Sequence, residues 1–134
     1  DIWHRYNEAF KNLDLLQTPN TPADCLHGFQ SYPCLFMPEK VKTAVKRRQF
    51  DTVRKVHQKR NEFMECLQNV GISTRPATHA VHMLSFYKNK YKLKPESFPN
   101  AMAANDCSMS LPLFTGMTLA EQDFVIEKVV KFKI

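Results

Sequence analysis

Apolar residues recur at three- and four-residue steps along three parts of the chain, and each such run predicts a helix with one buried face. Trp3, Tyr6, Phe10 and Leu13 place the first over 2–16. Phe50, Val53, Val56, the aliphatic stem of Arg60, Phe63, Leu67 and Val70 place the longest over 50–70. Asp51 or the preceding turn caps its start, and Gly71 is placed to be the left-handed residue that ends it. Phe124, Val125, Ile126, Val129 and Phe132 form the third face. It is introduced by Thr118-Leu119-Ala120-Glu121, a capping box in which a hydroxyl and a carboxylate each satisfy an unpaired backbone N–H.

Shorter patterns fill the intervals. Pro19 and Pro22 end the first helix, because each removes a backbone donor and biases its predecessor away from helix. His27 to Met37 is aromatic and β-prone and predicts a strand, with Pro33 arguing for an edge position or a bulge. Residues 38–49 read as a basic connection, partly helical through Val41, Ala44 and Val45. Ile72 to Arg75 predicts a short strand stopped by Pro76, and 82–90 a short helix displaying Met83, Phe86 and Tyr87. After a loop over 94–99, Pro99 suits the first turn of a helix running through Ala101 to Cys107, and 110–114 is a brief strand or extended link. Helices alternating with two or three short strands, without repeats, indicate an α/β or α+β domain with a small sheet covered by helices.

A chain of 134 residues suits one domain over 1–134, with a core large enough to need no disulfide or metal staple. Cys25, Cys34, Cys66 and Cys107 are far apart with no C-x-x-C pair, so they read as reduced, small apolar residues of a cytoplasmic protein. No apolar run reaches the length of a membrane span, and the first residues do not form a signal peptide. The start at Asp1, with helical spacing already under way by Trp3, suggests a piece cut from a longer protein. The net charge of +6 is uneven: nine of the nineteen basic residues lie between Lys40 and Arg60, against the single acid Asp51. An anionic partner would be drawn there first.

Polar chemistry is densest at Gly71 to His82, where Arg75, Thr78, His79 and His82 fall within eight positions. A guanidinium at a strand end, before a proline that fixes the exit direction, offers a planar two-pronged grip on phosphate or carboxylate. The hydroxyl and the imidazoles can hold phosphate or sugar oxygens. His79 and His82, at i and i+3, would share a helix face, but no acid or cysteine nearby completes a metal site and none is expected.

Gly71–His82 (GISTRPATHAVH), Phe98–Ala101 (FPNA) and Ser110–Thr118 (SLPLFTGMT), in that order, resemble the small C-terminal domain of the DegT/DnrJ/EryC1/StrS family. These are pyridoxal-phosphate-dependent sugar aminotransferases, and the resemblance runs from about Trp3 to Phe132. It implies a short, mainly antiparallel sheet of two to four strands packed on helices, as in the small domain of fold-type I pyridoxal-phosphate enzymes. It implies an amino group moved from glutamate to a nucleotide-linked keto-sugar, in a homodimer, with Arg75, Thr78, His79 and His82 holding the substrate. Arg75, Pro76 and His82 match the family's pattern, while Ala77-Thr78-His79-Ala80 lacks its aromatic residues and second proline. The Schiff-base lysine and the cofactor's phosphate cup belong to a large domain with no counterpart in this chain. Pyridoxal phosphate is therefore expected in the full-length protein and not on this chain alone, which is expected to be inactive, and no residue is assigned a catalytic role. Two other classes stay open: a basic module binding nucleic acid through 40–60, and a standalone interaction or regulatory domain.

Overall fold

The computed structural model describes residues 2–133, so Asp1 and Ile134 lie outside it. Its centre is β2 (Tyr32–Phe36), where Tyr32, Cys34 and Phe36 are buried and Pro33 and Leu35 half-buried, the alternation expected of a pleated strand. β2 pairs antiparallel with β1 (Leu16–Gln17) on one side and with β3 (Ser108–Leu111) on the other, giving the order β1-β2-β3. Around this sheet lie α1 (Ile2–Phe10), α2 (Pro38–Lys46), α3 (Phe50–Asn69), α4 (Ser85–Tyr91), α5 (Pro99–Cys107) and α6 (Leu119–Val130). The domain is α+β, as the sequence indicates.

An edge or bulge position was expected for Pro33, yet it sits in the central strand. The hydrogen-bond register explains why it is tolerated. Pro33 faces Ser110, whose N–H and carbonyl are both engaged by the backbone of Arg75 on β3's far side, at 2.7 and 3.3 Å. The Pro33–Ser110 pair is thus a non-hydrogen-bonded one, and the proline nitrogen points to the opposite side, where β1 reaches only Leu35 and Phe36. Locally, Pro33 lies on an open edge.

The first helix stops at Phe10, short of the expected 16. Asn12 and Asp14 are weak helix formers, and Leu15 and Leu16 bury more by turning into the sheet. There Leu16 pairs with Phe36, and the Leu15 carbonyl accepts from the Met37 N–H at 2.8 Å. The basic connection after β2 is helical from Pro38 to Lys46, with proline in its first turn and Val41 and Ala44 buried. α3 runs as predicted, burying Val53, Val56, Arg60, Phe63 and Leu67, and it ends at Gly71 with φ +83°. Asp51 does not cap it but pairs with Arg54 at 2.6 Å. The expected strand over 72–75 reduces to the single bridge of Arg75 with Ser110.

The core is an aromatic chain across these elements. Tyr6 of α1 lies 4.9 Å from the Tyr32 ring, Phe36 lies 5.5 Å from Phe63 of α3, and Phe63 lies 4.4 Å from Phe132 after α6. Both phenol hydroxyls are satisfied, Tyr32 donating to Asn7 Oδ1 at 2.7 Å and Tyr6 to the Pro112 carbonyl at 3.0 Å. α6 buries Val125 and Val129 as expected, but Phe124 faces outward and Gln122 takes the core position. Its amide donates to the Ile2 carbonyl at 2.7 Å, which is what makes a buried glutamine tolerable.

The capping box forms as read. Thr118 Oγ1 accepts from the Glu121 N–H at 3.2 Å, and the Glu121 carboxylate accepts from the Thr118 N–H and hydroxyl at 2.7 and 2.8 Å. The backbone bond and then the hydroxyl bond hold the Glu121 carboxyl below its usual range. Thr118→Ala should destabilise the domain by about 1 kcal/mol in urea unfolding. The Glu121 contribution is present above its unfolded pKa and lost as pH falls through the lower folded value. Glu121→Gln should therefore narrow its stability difference from the parent chain as pH is lowered, and a constant difference across the acid range would contradict this assignment.

Two thiols are buried and two exposed: Cys34 and Cys107 lie inside, Cys25 and Cys66 outside. Burial pushes the Cys34 and Cys107 thiols up to about 12. In the folded chain, iodoacetamide should label Cys25 and Cys66 at neutral pH and spare the other two, whereas all four should react in denaturant. Mass spectrometry of the labelled peptides checks this.

Candidate functional site

The stretch after α3 is positioned from both ends. Gly71 turns the chain out of the helix, Ile72 is buried, and Arg75 is fixed by its two backbone bonds to Ser110. Farther on, the Ala80 N–H donates to Asn105 Oδ1 at 3.0 Å, which pins the loop to the last turns of α5. Arg75 is exposed, and its guanidinium makes no hydrogen bond or ion pair among the described residues. Thr78 and His79 are exposed as well. A cation on a fixed backbone with an unengaged fork is suited to a planar anion such as phosphate or carboxylate.

His82 is placed differently. It is buried, its Nε2 lies 2.9 Å from the Pro95 carbonyl, and its ring is 5.0 Å from Phe98. A carbonyl only accepts, so Nε2 carries a proton there. His82 thus closes the segment 81–98, which includes 3-10 turns at Val81–Met83 and Pro95–Ser97 and the short helix α4. A shallow groove of about 500 Å³ brings His79 and His82 together with Tyr87, Tyr91, Leu93 and Phe98, while Arg75 and Thr78 are not part of its lining. α4 buries none of its residues. Phe86, Tyr87 and Tyr91 are exposed, with the Lys90 ammonium 5.5 Å from the Phe86 ring and 5.3 Å from the Tyr91 ring. Spacing alone did not reveal Asn105, Pro95 or Phe98 as supports of the loop. The available signal was the FPNA motif, whose Phe98 is half exposed and lies against His82.

Four of the nine basic residues of 40–60 are engaged within the domain. Lys42 pairs with Glu39 at 3.1 Å, Arg54 bridges Asp51 and Glu96, and Arg48 lies 5.3 Å from the Phe50 ring. Arg60 is buried, with Nε donating to the Asp106 carbonyl at 3.1 Å. His57 Nδ1 lies 2.7 Å from the same carbonyl and 3.1 Å from Arg60 Nη2, and its Nε2 lies 3.2 Å from the Asn61 amide. That carbonyl belongs to the last turn of α5, where helix geometry leaves it without a partner and favours cations. Burial pushes the Arg60 guanidinium below its usual value.

Pyridoxal phosphate requires a lysine amine, an acid for its ring nitrogen and a phosphate cup. No lysine among the described residues is buried, and Lys11, Lys42 and Lys131 pair with Glu8, Glu39 and Glu127 at the surface. The groups of this chain alone do not fit the cofactor. No group of three or more histidine, cysteine or acidic side chains among the described residues is arranged to hold a metal ion, and no helix there is long and apolar enough to cross a membrane.

Comparison with known proteins agrees with this geometry. Over 129 residues the chain is 30% identical to the spore coat polysaccharide biosynthesis protein SpsC of Bacillus subtilis, covering 96% of this chain and 30% of that protein. Over 113 residues it is 30% identical to the uncharacterized protein MJ1066 of Methanocaldococcus jannaschii, covering 84% of this chain and 25% of that one. The chain therefore spans between a quarter and a third of the length of these relatives. Its fold matches the putative sugar aminotransferase Spr1654 of Streptococcus pneumoniae, with a TM-score of 0.75 at 20% identity over 97% of this chain and 28% of that one. It also matches the aminotransferase TlmJ of Streptoalloteichus hindustanus, with a TM-score of 0.70 at 20% identity over 96% and 29%. The profile of the DegT/DnrJ/EryC1/StrS aminotransferase family matches residues 1–130, and the chain belongs to that family.

Proposed function

We propose that this chain is the C-terminal small domain of a cytoplasmic, pyridoxal-phosphate-dependent sugar aminotransferase. The reaction is the transfer of an amino group from glutamate to a keto-sugar carried on a nucleotide. The cofactor, its lysine and its acid belong to a large domain, and the enzyme works as a homodimer. Family membership supports the reaction class. The observation that carries the site is Arg75: its backbone is clamped to β3 while its guanidinium has no partner among the described residues.

In this reading Arg75 grips a phosphate of the nucleotide carrier with two parallel N–H donors. Thr78 and His79, on the same exposed loop, contact oxygens of the carrier or the sugar. His82 acts as a positioning residue, because its Nε2 is already engaged by Pro95 and its ring is covered by Phe98. The exposed apolar side chains of Phe86, Tyr91, Phe98, Phe114 and Leu119 are the surface that the large domain or the second subunit covers.

The test is amination of a nucleotide-linked keto-sugar, with glutamate as donor, by the full-length protein that contains this chain; the 134-residue chain alone should be inactive. Arg75→Ala should raise KM for the nucleotide-linked sugar by about tenfold or more, the loss of a charge-assisted hydrogen bond, and leave the glutamate half-reaction unchanged. Equal amination of a carrier-free keto-sugar would remove the nucleotide from the proposal. An unaltered KM in Arg75→Ala would remove the site, and no amination at all would remove the function.

A further inference from the structure

Among the described residues, two buried side-chain polar atoms have no hydrogen-bond partner: the indole nitrogen of Trp3 and the hydroxyl of Thr21. Both residues line one pocket of about 340 Å³ between α1 and the connection 18–31. A buried donor left unsatisfied costs about 1–3 kcal/mol, and an indole N–H can be satisfied only by an acceptor. Trp3 is 6% exposed, so bulk water does not meet this need.

The rest of the lining narrows the choice of acceptor. The Trp3 ring lies 5.0 Å from His27 and 5.4 Å from Phe29, so flat apolar faces are present. Asn7 accepts from the Tyr32 hydroxyl through Oδ1, and its amide N–H groups have no partner among the described residues. Asn20 adds a second amide to the wall. Among the described residues no lysine, arginine, aspartate or glutamate lines the pocket, and its titratable side chains are His4, His27 and Cys25, so no permanent charge is there to replace the hydration of an ionic ligand. The complement is a neutral ring with an apolar C–H face and an edge of oxygens. No residue between 18 and 31 is buried and none belongs to a helix or strand, so the connection can give way to admit a ligand.

We propose that the pocket under 18–31 binds a neutral polyhydroxylated ring of the pyranose class. The Trp3 N–H and Thr21 O–H donate to its oxygens, and the His27 and Phe29 rings cover its C–H face. The pocket stands apart from the Arg75 loop. Trp3 lies 5.9 Å from Tyr32, where β2 begins and β3 ends, whereas the chain after Arg75 runs toward the beginning of β3, as the Ala80–Asn105 bond shows. The proposal does not rest on the aminotransferase assignment and can fail without it.

Trp3 is the single tryptophan of the chain, so its indole N–H gives one identifiable resonance in a nitrogen-15-labelled sample. Titration with glucose and with N-acetylglucosamine should move that resonance saturably in the millimolar range. Thr21→Val and His27→Ala should each weaken the response by about tenfold, with the β3 amide resonances unchanged as evidence of an intact fold. A resonance that neither sugar moves would identify a water-filled pocket and overturn the proposal. So would a response that only glucose 6-phosphate produces, or one that Thr21→Val leaves unaltered.

Discussion

The alternation of Tyr32, Cys34 and Phe36 along β2 sets the positions of the other elements. Placing two large rings and a thiol on one face of a short strand leaves a tyrosine hydroxyl inside the domain, and such a group must be hydrogen-bonded. The Tyr32–Asn7 bond meets that need and fixes the rotation of α1. The Tyr6–Pro112 bond, from the next buried phenol, then fixes the end of β3. Burial raises the ionisation range of both phenols, so these bonds persist throughout the neutral range. At the other end of β2, Phe36 against Phe63 sets the depth of α3, and the C-terminus of α3 is where the candidate loop starts.

The last turns of α5 join a buried cation to that loop. The Asp106 carbonyl receives the Arg60 guanidinium and the His57 ring, and Asn105, one residue earlier, receives the Ala80 N–H. The Asn105 amide also donates to Asp106 Oδ1 at 2.8 Å. A carbonyl at a helix end carries partial negative charge, which compensates Arg60 without a buried carboxylate and avoids the desolvation of a second full charge. The loop therefore inherits its rigidity from a helix terminus, while the groups it displays remain unengaged.

Periodic burial made the long elements legible. Period 3.6 gave α3 and α6, aromatic and β-prone composition gave the stretch that holds β2, and the capping box and Gly71 marked two helix ends. The misreadings came where a tertiary contact overrode a local signal. α1 was read too long because the pairing of Leu16 with Phe36 is invisible from either segment alone. Pro33 was sent to an edge because only the engagement of Ser110 by Arg75 frees its nitrogen from the ladder. Phe124, expected in the buried face, lies outside while Gln122 is buried, because an amide that meets the Ile2 carbonyl can be buried, which hydropathy does not anticipate. Of the four candidate residues, motif position could not separate an exposed, unengaged Arg75 from a His82 already bound to Pro95; that difference lies in contacts made across the loop.

The two proposed sites would separate two kinds of recognition chemistry on this small sheet. Beside β3 stands the Arg75 guanidinium, at the surface and without a partner among the described residues, whose pull on an anion is long-ranged and weakens with salt. At the start of β2 stands a cluster of rings and uncharged donors, whose hold on a ligand is short-ranged and depends on fit. A molecule with an anionic part and a neutral ring would be sorted by these two surfaces without either needing a buried charge. The arrangement follows from the strand order: Arg75 reaches the sheet only across β3, and Trp3 only across the Tyr32 end of β2.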